Sequence, residues 1–138
     1  MAICAHATLE ELNAGLLAVQ PLPVATTLRP PELGLVMLRG RMGGDGAPFN
    51  VGEATVSRAA VQLASGEMGT GNVLGRSLEK ARLAAIIDAL AQVPKYRSVL
   101  ESSLFAPVTE RRARQKAIGA AETAATRVEF FTVVRGED

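Results

Sequence analysis

The stretch EATVSRAAVQLASGEMGTGNVL, residues 53–74, decides how this chain folds. In its first half, residues 53–63, the side chains are mostly small or apolar and divide alternately between two sides. This period of two residues is typical of a β-strand. Ser65 and Gly66 then provide a tight turn, and residues 67–74 carry a second strand signal. The stretch therefore predicts an antiparallel hairpin whose small side chains allow another backbone to pack closely against it.

The residues that follow this hairpin predict helices. Large apolar residues after Ser77 recur at helical spacing: Leu83, Ile86, Ile87 and Leu90. Ser77 itself is a suitable N-cap, and Pro94 ends the helix. Residues 95–104 predict a shorter helix, and residues 107–125 predict a third.

The first helix of the chain carries a sequence signature at its start. Thr8 and Glu11 have the spacing of a capping box, and apolar residues recur at helical intervals after them. Pro21 and Pro23 cannot continue such a helix. The sequence therefore predicts a helix over residues 9–19.

The segment between this helix and the hairpin predicts a further pair of strands. Residues 24–28 predict a short strand, Pro30 and Pro31 a turn, and residues 33–41 a returning strand. We expect these segments to form a first hairpin. Residues 42–52, which contain four of the 13 glycines, predict an exposed loop.

The C-terminal residues 128–134 are rich in β-branched and aromatic side chains and predict a final strand. This strand would pair within its own fold or with another protomer. The elements together predict an α+β fold: a single domain over residues 1–138, with a mostly antiparallel sheet made of two hairpins and the C-terminal strand, packed with three or four helices.

Composition and charge narrow the class of protein. The formal net charge is +1, which gives no reason to expect nucleic acid or an anionic membrane as a partner. No stretch approaches the roughly 20 apolar residues of a membrane span, and the first residues lack the features of a secretion signal. A single cysteine cannot form an intramolecular disulfide. The sequence predicts a cytoplasmic protein.

Residues suited to covalent or metal chemistry are scarce. His6 and Cys4 are the only residues of their types, and zinc sites or nucleophilic catalysis need several such groups together. We expect Cys4 in a frayed terminus and His6 exposed. The carboxylate pairs at 10–11 and 137–138 read as a helix cap and a solvated tail. The sequence predicts no catalytic residue and no metal site in this chain.

A glycine-rich loop contains the first group of candidate binding residues: Arg41, Gly43, Gly44 and Gly46. Glycines let backbone N–H groups approach an anion, and the arginine adds positive charge. The loop lacks the Lys-Ser/Thr ending of a Walker loop. An anion site and an ordinary turn both remain open at this stage.

A second group, Gly75, Arg76 and Ser77, lies where a strand runs into a helix N-terminus. Free N–H groups and the helix dipole favour anions at such a position. The glycines before it miss the dinucleotide fingerprint by one residue, which argues against a dinucleotide site. The segment predicts either a phosphate contact by Arg76 and the amide of Ser77 or a structural turn.

The N-terminal half of the helix at 107–125 is strongly basic, with Arg111, Arg112, Arg114 and Lys116. Cations at this end of a helix oppose its dipole. The favoured interpretation is a solvated basic face, and the alternative is a contact with an acidic partner or a phosphate.

Three segments, in this order, resemble the PhnG family, the G subunits of the carbon-phosphorus lyase core complex. They are LRGRMGGDG at 38–46, GEATVSRAAV at 52–61 and RVEFFTVVRG at 127–136. Gly75-Arg76 falls in register between them, so the resemblance covers about residues 33–136. Aromatic residues near Gly71 and a histidine after Arg76, both typical of the family, are replaced here, and their roles do not transfer.

The resemblance implies a subunit of a cytoplasmic, multisubunit transferase system in phosphonate catabolism. The implied partners are the H, I, J and K subunits, with the L protein for the synthase reaction, in a hetero-oligomer with two copies of this chain. G, H, I and L together displace adenine from MgATP with methylphosphonate and form ribose 1-methylphosphonate 5-triphosphate. The nucleosidase activity is credited to I, and the radical iron-sulfur chemistry to J. We therefore expect no cofactor in this chain.

Three hypotheses for the role of the chain follow. The first is an accessory or scaffolding subunit with no activity alone. The second is a subunit that contributes binding groups to a shared active site, and its candidate residues double as interface residues: Arg41, Gly43, Gly44, Gly46, Arg58, Gly75, Arg76 and Ser77. The third is a free-standing binding module unrelated to phosphonates.

Overall fold

The structure, a computed structural model, describes residues 2–43 and 45–126. The predicted strand at 128–134 lies outside the described residues. Within them the elements, in chain order, are α1 (Ala2–His6), α2 (Leu9–Leu17), β1 (Ala25–Arg41), β2 (Pro48–Leu63), β3 (Met68–Leu74), α3 (Leu78–Ala91), α4 (Pro94–Leu100), a π-helical segment (Glu101–Phe105) and α5 (Ala106–Ala125). An antiparallel sheet packed with helices confirms the predicted α+β class.

The three strands form one sheet in the order β1-β2-β3, with β2 in the centre. The hairpin predicted from residues 53–74 is confirmed: β2 and β3 pair in antiparallel register, and Gly66 takes a φ of 109° in the turn between them. Such a positive φ suits glycine, which has no Cβ to clash.

The first predicted hairpin is wrong, because residues 25–41 form the single long strand β1. Pro30 and Pro31 lie inside this strand. They are tolerated because β1 is an edge strand of the sheet that residues 2–43 and 45–126 form. Register shifts on either side of Arg29 also let the chain pass the prolines without their missing N–H groups breaking the ladder. The loop predicted at 42–52 is shorter than expected, since β2 already begins at Pro48.

Helix α3 lies against β3 with almost no side chain between them. A Cβ on Gly69 or Gly71 would overlap backbone atoms of α3, including the carbonyl oxygens of Ala85 and Ala81. The core is formed largely by buried residues from this helix and from the strands beneath it: Ala59, Val61, Leu63, Val73, Ala81, Ala84, Ala85, Ile87, Ala89 and Leu90. The small side chains noted in the sequence thus serve close helix-to-sheet packing.

The predicted capping box of α2 is present. The Glu11 amide donates to Thr8 Oγ1 at 3.1 Å, and the Thr8 amide donates to Glu11 Oε2 at 2.7 Å. The helix ends at Leu17 rather than at residue 19. Between α4 and α5 the chain remains helical through the π-helical segment, in which the Ala106 N–H donates to the carbonyl of Glu101. Pro107 follows at once, so its missing N–H falls where the wider π-helical turn gives way to the α-helical turns of α5.

The expectation of a frayed N-terminus is wrong, because α1 packs into the core and Cys4 is 1% exposed. Burial raises the pKa of the Cys4 thiol. Two cations hold the end of this short helix: Lys80 Nζ donates to the carbonyl of Ala5 at 2.9 Å, and Arg111 donates to the carbonyl of His6 at 3.1 Å. The His6 side chain is exposed, as predicted.

Strands β1 and β2 continue beyond the end of β3, which pairs only with residues 56–62 of β2. We call this two-stranded extension, residues 35–41 and 48–55, the ribbon. It carries large apolar side chains that are 41–62% exposed: Leu35, Val36, Met37, Leu38, Phe49 and Val51. Separately, no helix among the described residues is long and apolar enough to cross a lipid bilayer.

Candidate functional site

The Gly75-Arg76 turn is fixed to the sheet by two hydrogen bonds. The Gly75 amide donates to the carbonyl of Thr55 at 2.8 Å, and the Ser57 hydroxyl donates to the carbonyl of Gly75 at 2.8 Å. Gly75 has a φ of 95°, which favours glycine. Ser57 is fully buried, so its hydroxyl needs this partner. Sequence reasoning missed Ser57, although a serine among inward-facing alanines and valines was the available signal.

Arg76 lines a small cavity at the base of the ribbon. The cavity measures about 230 Å³, and its other lining residues are Leu33, Gly34, Leu35 and Thr55. The exposed arginine thus stands beside two leucines that are 49% and 61% exposed. This combination of one cation with apolar side chains suits either a neighbouring protein surface or one anionic group of a ligand.

Ser77 occupies the N-cap position of α3, as predicted. Its backbone φ and ψ are −116° and 87°, and its side chain accepts no hydrogen bond from the helix. The first turn of α3 is therefore not closed by a side chain from this position. Ser77 follows Arg76 directly, so the two candidate residues do lie together.

The loop after β1 uses its polar groups to hold its own shape. Arg41 donates to the carbonyl of Gly46 at 3.3 Å, and the Gly46 amide donates to the carbonyl of Met42 at 3.0 Å. Gly43 has a φ of 62°, and space is open around it. Gly44 lies outside the described residues. Arg41 thus already contributes to a turn, which is the interpretation that competed with anion binding.

Arg58 lies on the sheet face that is turned away from α3, opposite Asn72 of β3. Its Nε donates to Glu32 Oε1 at 2.8 Å, and Arg29 lies 3.8 Å from the same oxygen. The guanidinium passes over Gly34, where a Cβ would come within 3.4 Å of it. Arg58 therefore has a carboxylate partner within the chain.

The structure does not bring the candidate arginines together. Arg76 stands beside Leu35 at the base of the ribbon, whereas Arg41 ends β1 six residues further along. Because a strand rises about 3.3 Å per residue, the two glycine-rich turns are about 20 Å apart. Arg58 lies on the face away from α3. In this conformation the three arginines cannot converge on one small anion.

The basic part of α5 is divided between internal and outward contacts. Arg111 binds Glu11 in a bidentate pair, at 2.7 Å from Nε to Oε1 and 2.9 Å from the second guanidinium nitrogen to Oε2. Hydrogen bonds from Arg111, and then from the Thr8 backbone, lower the pKa of Glu11. The sequence left open whether the basic residues of this helix contact an acidic group. For Arg111 that group is Glu11 of the same chain.

The other cations of α5 remain near the surface. Arg114 lies 3.7 Å from Glu110 one turn earlier. Arg112 and Lys116 line an open groove of about 720 Å³ whose wall includes Ile3 of α1. The basic face is thus partly solvated, as the sequence interpretation favoured.

Groups that could bind a metal are not clustered in this part of the chain. Within residues 2–43 and 45–126, no three His, Cys, Asp or Glu side chains are placed to hold one ion. The same residues contain a buried thiol, Cys4, whose pKa is raised. A thiol in that environment is poorly suited to act as a nucleophile.

A small α+β domain whose sheet extends into an apolar ribbon, and whose arginines are dispersed, has the features of a component of a larger assembly. The chain belongs to the PhnG family: the family described as phosphonate metabolism protein PhnG matches residues 1–136. A relative from Rhizobium meliloti (strain 1021) is 51% identical over 138 residues, which are 100% of this chain and 88% of that protein. That relative is named alpha-D-ribose 1-methylphosphonate 5-triphosphate synthase subunit PhnG.

Proposed function

We propose that this chain is an accessory subunit of a ribose 1-methylphosphonate 5-triphosphate synthase complex in phosphonate metabolism. Family membership over almost the whole chain supports the place in the complex. The observation that carries the accessory role is the separation of Arg41, Arg58 and Arg76. A triphosphate is bound by several cations that converge on it.

The reaction of the complex is the displacement of adenine from MgATP by methylphosphonate. In this proposal the H and I subunits and the L protein work with this chain, J and K complete the core complex, and two copies of the chain are present. MgATP is a substrate of the assembly. Iron-sulfur and metal chemistry belongs to other subunits. This chain shapes and holds the assembly in which they act.

The isolated chain provides the first test. Purified protein mixed with MgATP and methylphosphonate should release no adenine, and adding the partner subunits should restore release. Chromatography with ultraviolet detection measures the free base. Turnover by the pure chain would refute the accessory role.

A second candidate function is a direct contact with substrate, and it is favoured at one residue. Arg76 stands in a cavity without a carboxylate among its lining residues, whereas Arg58 is ion-paired with Glu32. If a partner subunit binds the substrate beside this cavity, Arg76 could reach one phosphate or phosphonate group.

Arginine variants in the reconstituted complex separate the two roles. Arg76→Ala, Arg41→Ala and Arg58→Ala are each compared with the wild type for assembly, by gel filtration, and for adenine release. The accessory role predicts that turnover changes only where assembly changes. Loss of turnover by Arg76→Ala in an intact complex would instead establish the substrate contact.

A further inference from the structure

The ribbon exposes apolar side chains on both of its faces. Leu35 and Met37 pair with Thr55 and Glu53 on the face that continues the buried side of the sheet. Val36 and Leu38 lie on the opposite face, together with Phe49 and Val51. Gly40 shows where the last two lie, because a Cβ added at Gly40 would overlap the Val51 side chain and approach that of Phe49.

Nothing among residues 2–43 and 45–126 buries these apolar side chains, which stay 41–62% exposed. A two-stranded ribbon in water is marginally stable, and cross-strand pairs of exposed apolar side chains stabilise it only by roughly 0.2–1 kcal/mol each. Exposed apolar patches of this kind mark contacts with another protein. The ribbon and its loop comprise about 20 residues, which is the size of one side of a standard interface.

The distal end of the ribbon differs in charge from its base. Arg39 and Arg41 lie on the face shared with Leu35 and Met37, near the loop. Neither forms a salt bridge with another residue in the described ranges. Arg41 donates to the carbonyl of Gly46 but keeps its charge, so a partner that surrounds this end can supply carboxylates to both cations.

We propose that the ribbon inserts into an apolar cleft of another subunit of the synthase, which closes over both faces and places carboxylates opposite Arg39 and Arg41. The proposal rests on the proposed function and names the chemistry of the partner. A second copy of this chain fits less well. A paired ribbon would cover one face of each copy and leave the other apolar face in water.

Photo-crosslinking tests whether one partner covers both faces. The chain is coexpressed with the other synthase subunits and carries benzoylphenylalanine at Phe49 on one face or at Leu35 on the other. Leu17, which is 73% exposed on α2, provides the control position. Both ribbon positions should crosslink to the same other subunit, and Leu17 should not. A crosslink from only one face, or to a second copy of this chain, would overturn the proposal.

Substitutions test the contribution of the ribbon to assembly. Leu35→Asp and Phe49→Asp should each reduce the recovered complex by roughly tenfold or more, whereas Leu17→Asp should not. Arg39→Glu combined with Arg41→Glu should also weaken assembly, and the loss should be greatest at low salt. Equal recovery of the ribbon variants and the wild type would exclude insertion.

Two controls keep this test separate from the proposed function. Thermal unfolding of the isolated variants should match that of the wild type, because all the substituted residues are exposed. If the wild-type chain itself does not copurify with the other subunits, the proposed function fails. If the wild type copurifies and the ribbon variants do so equally, only the ribbon proposal fails.

Discussion

Strands β1 and β2 each run through two different environments. Residues 57–63 of β2, backed by α3 and flanked by β3, alternate between buried and more accessible side chains. The ribbon, formed by residues 35–41 and 48–55 of the same two strands, exposes apolar side chains on both of its faces. We call the part of these strands that α3 and β3 cover the backed half, and it contributes buried residues to the core. The ribbon carries the exposed apolar side chains that, in our proposal, contact another subunit.

The glycines provide the sharpest test of this difference. Gly71→Ala should lower the free energy of unfolding by more than about 3 kcal/mol, because the added Cβ would overlap α3 backbone. Gly52→Ala, in the ribbon, should change it by less than about 0.5 kcal/mol, since nothing lies within 4 Å of that position. Urea unfolding followed by circular dichroism measures both. Similar losses at the two positions would contradict the comparison.

Truncation of a large apolar side chain should separate the halves next. Leu90→Ala removes a fully buried side chain and should cost about 3 kcal/mol. Leu35→Ala removes one that is 61% exposed and should cost less than about 0.5 kcal/mol in the isolated chain. Thermal unfolding of the purified variants checks this order. A large loss for Leu35→Ala would show that the ribbon stabilises its own fold.

A smaller effect distinguishes the starts of helices α2 and α3. Thr8→Ala removes a side chain that caps α2 and should cost about 1 kcal/mol. Ser77→Ala removes a hydroxyl that makes no cap bond to α3 and should change the stability by less than about 0.5 kcal/mol. Denaturant midpoints of the two variants measure the difference. If Ser77→Ala alone disturbs the assembled complex, its role lies outside the fold.

The smallest effect concerns pH, because solvent screens a partly exposed ion pair. Glu11 has a lowered pKa in the folded chain, so its pairing with Arg111 contributes stability above the unfolded carboxyl pKa of about 4.3. That contribution is lost as the pH falls through the lower folded value. Glu11→Gln should therefore weaken the fall in melting temperature at acid pH.

Arg111→Met provides the matched variant for this pH test. It removes the cation that lowers the pKa of Glu11 and leaves the carboxylate in place. The acid limb of its stability profile should also become shallower than that of the wild type. If the fall in melting temperature at acid pH is unchanged in both variants, the Glu11–Arg111 pair contributes little to holding α2 against α5.

Local pattern predicted the backed half well, and it predicted α1 and β1 poorly. Alternation over residues 53–74 and helical spacing after Ser77 report burial directly, so both elements were found. Helix α1 was missed because five residues are too few for a periodic signal, and distant cations hold its end. Pro30 and Pro31 give a turn signal in any local reading, and only the edge position of β1 makes them acceptable in a strand.

For the candidate site, too, the sequence predicted some features and only the structure showed the others. The sequence identified Arg41, Arg58 and Arg76 as candidates, since residue type and neighbouring glycines are visible in a linear chain. Their separation depends on strand register, which places Arg41 at one end of the ribbon and Arg76 at the other. The ion pair of Arg58 with Glu32 spans 26 residues of sequence. No local pattern reports such a contact.

The sequence by itself determined the family, the strand-turn-strand unit at 53–74 and the helix that covers it, because side-chain size and alternation are local properties. The tertiary structure alone decided that β1 is one strand, that the terminal helix is anchored, and that the arginines are apart. It also decided that apolar side chains are exposed on both faces of the ribbon, because β3 pairs only with residues 56–62 of β2. Beyond the end of β3, the alternating side chains of β1 and β2 are no longer covered by a helix-backed sheet, and in our proposal a partner subunit covers them.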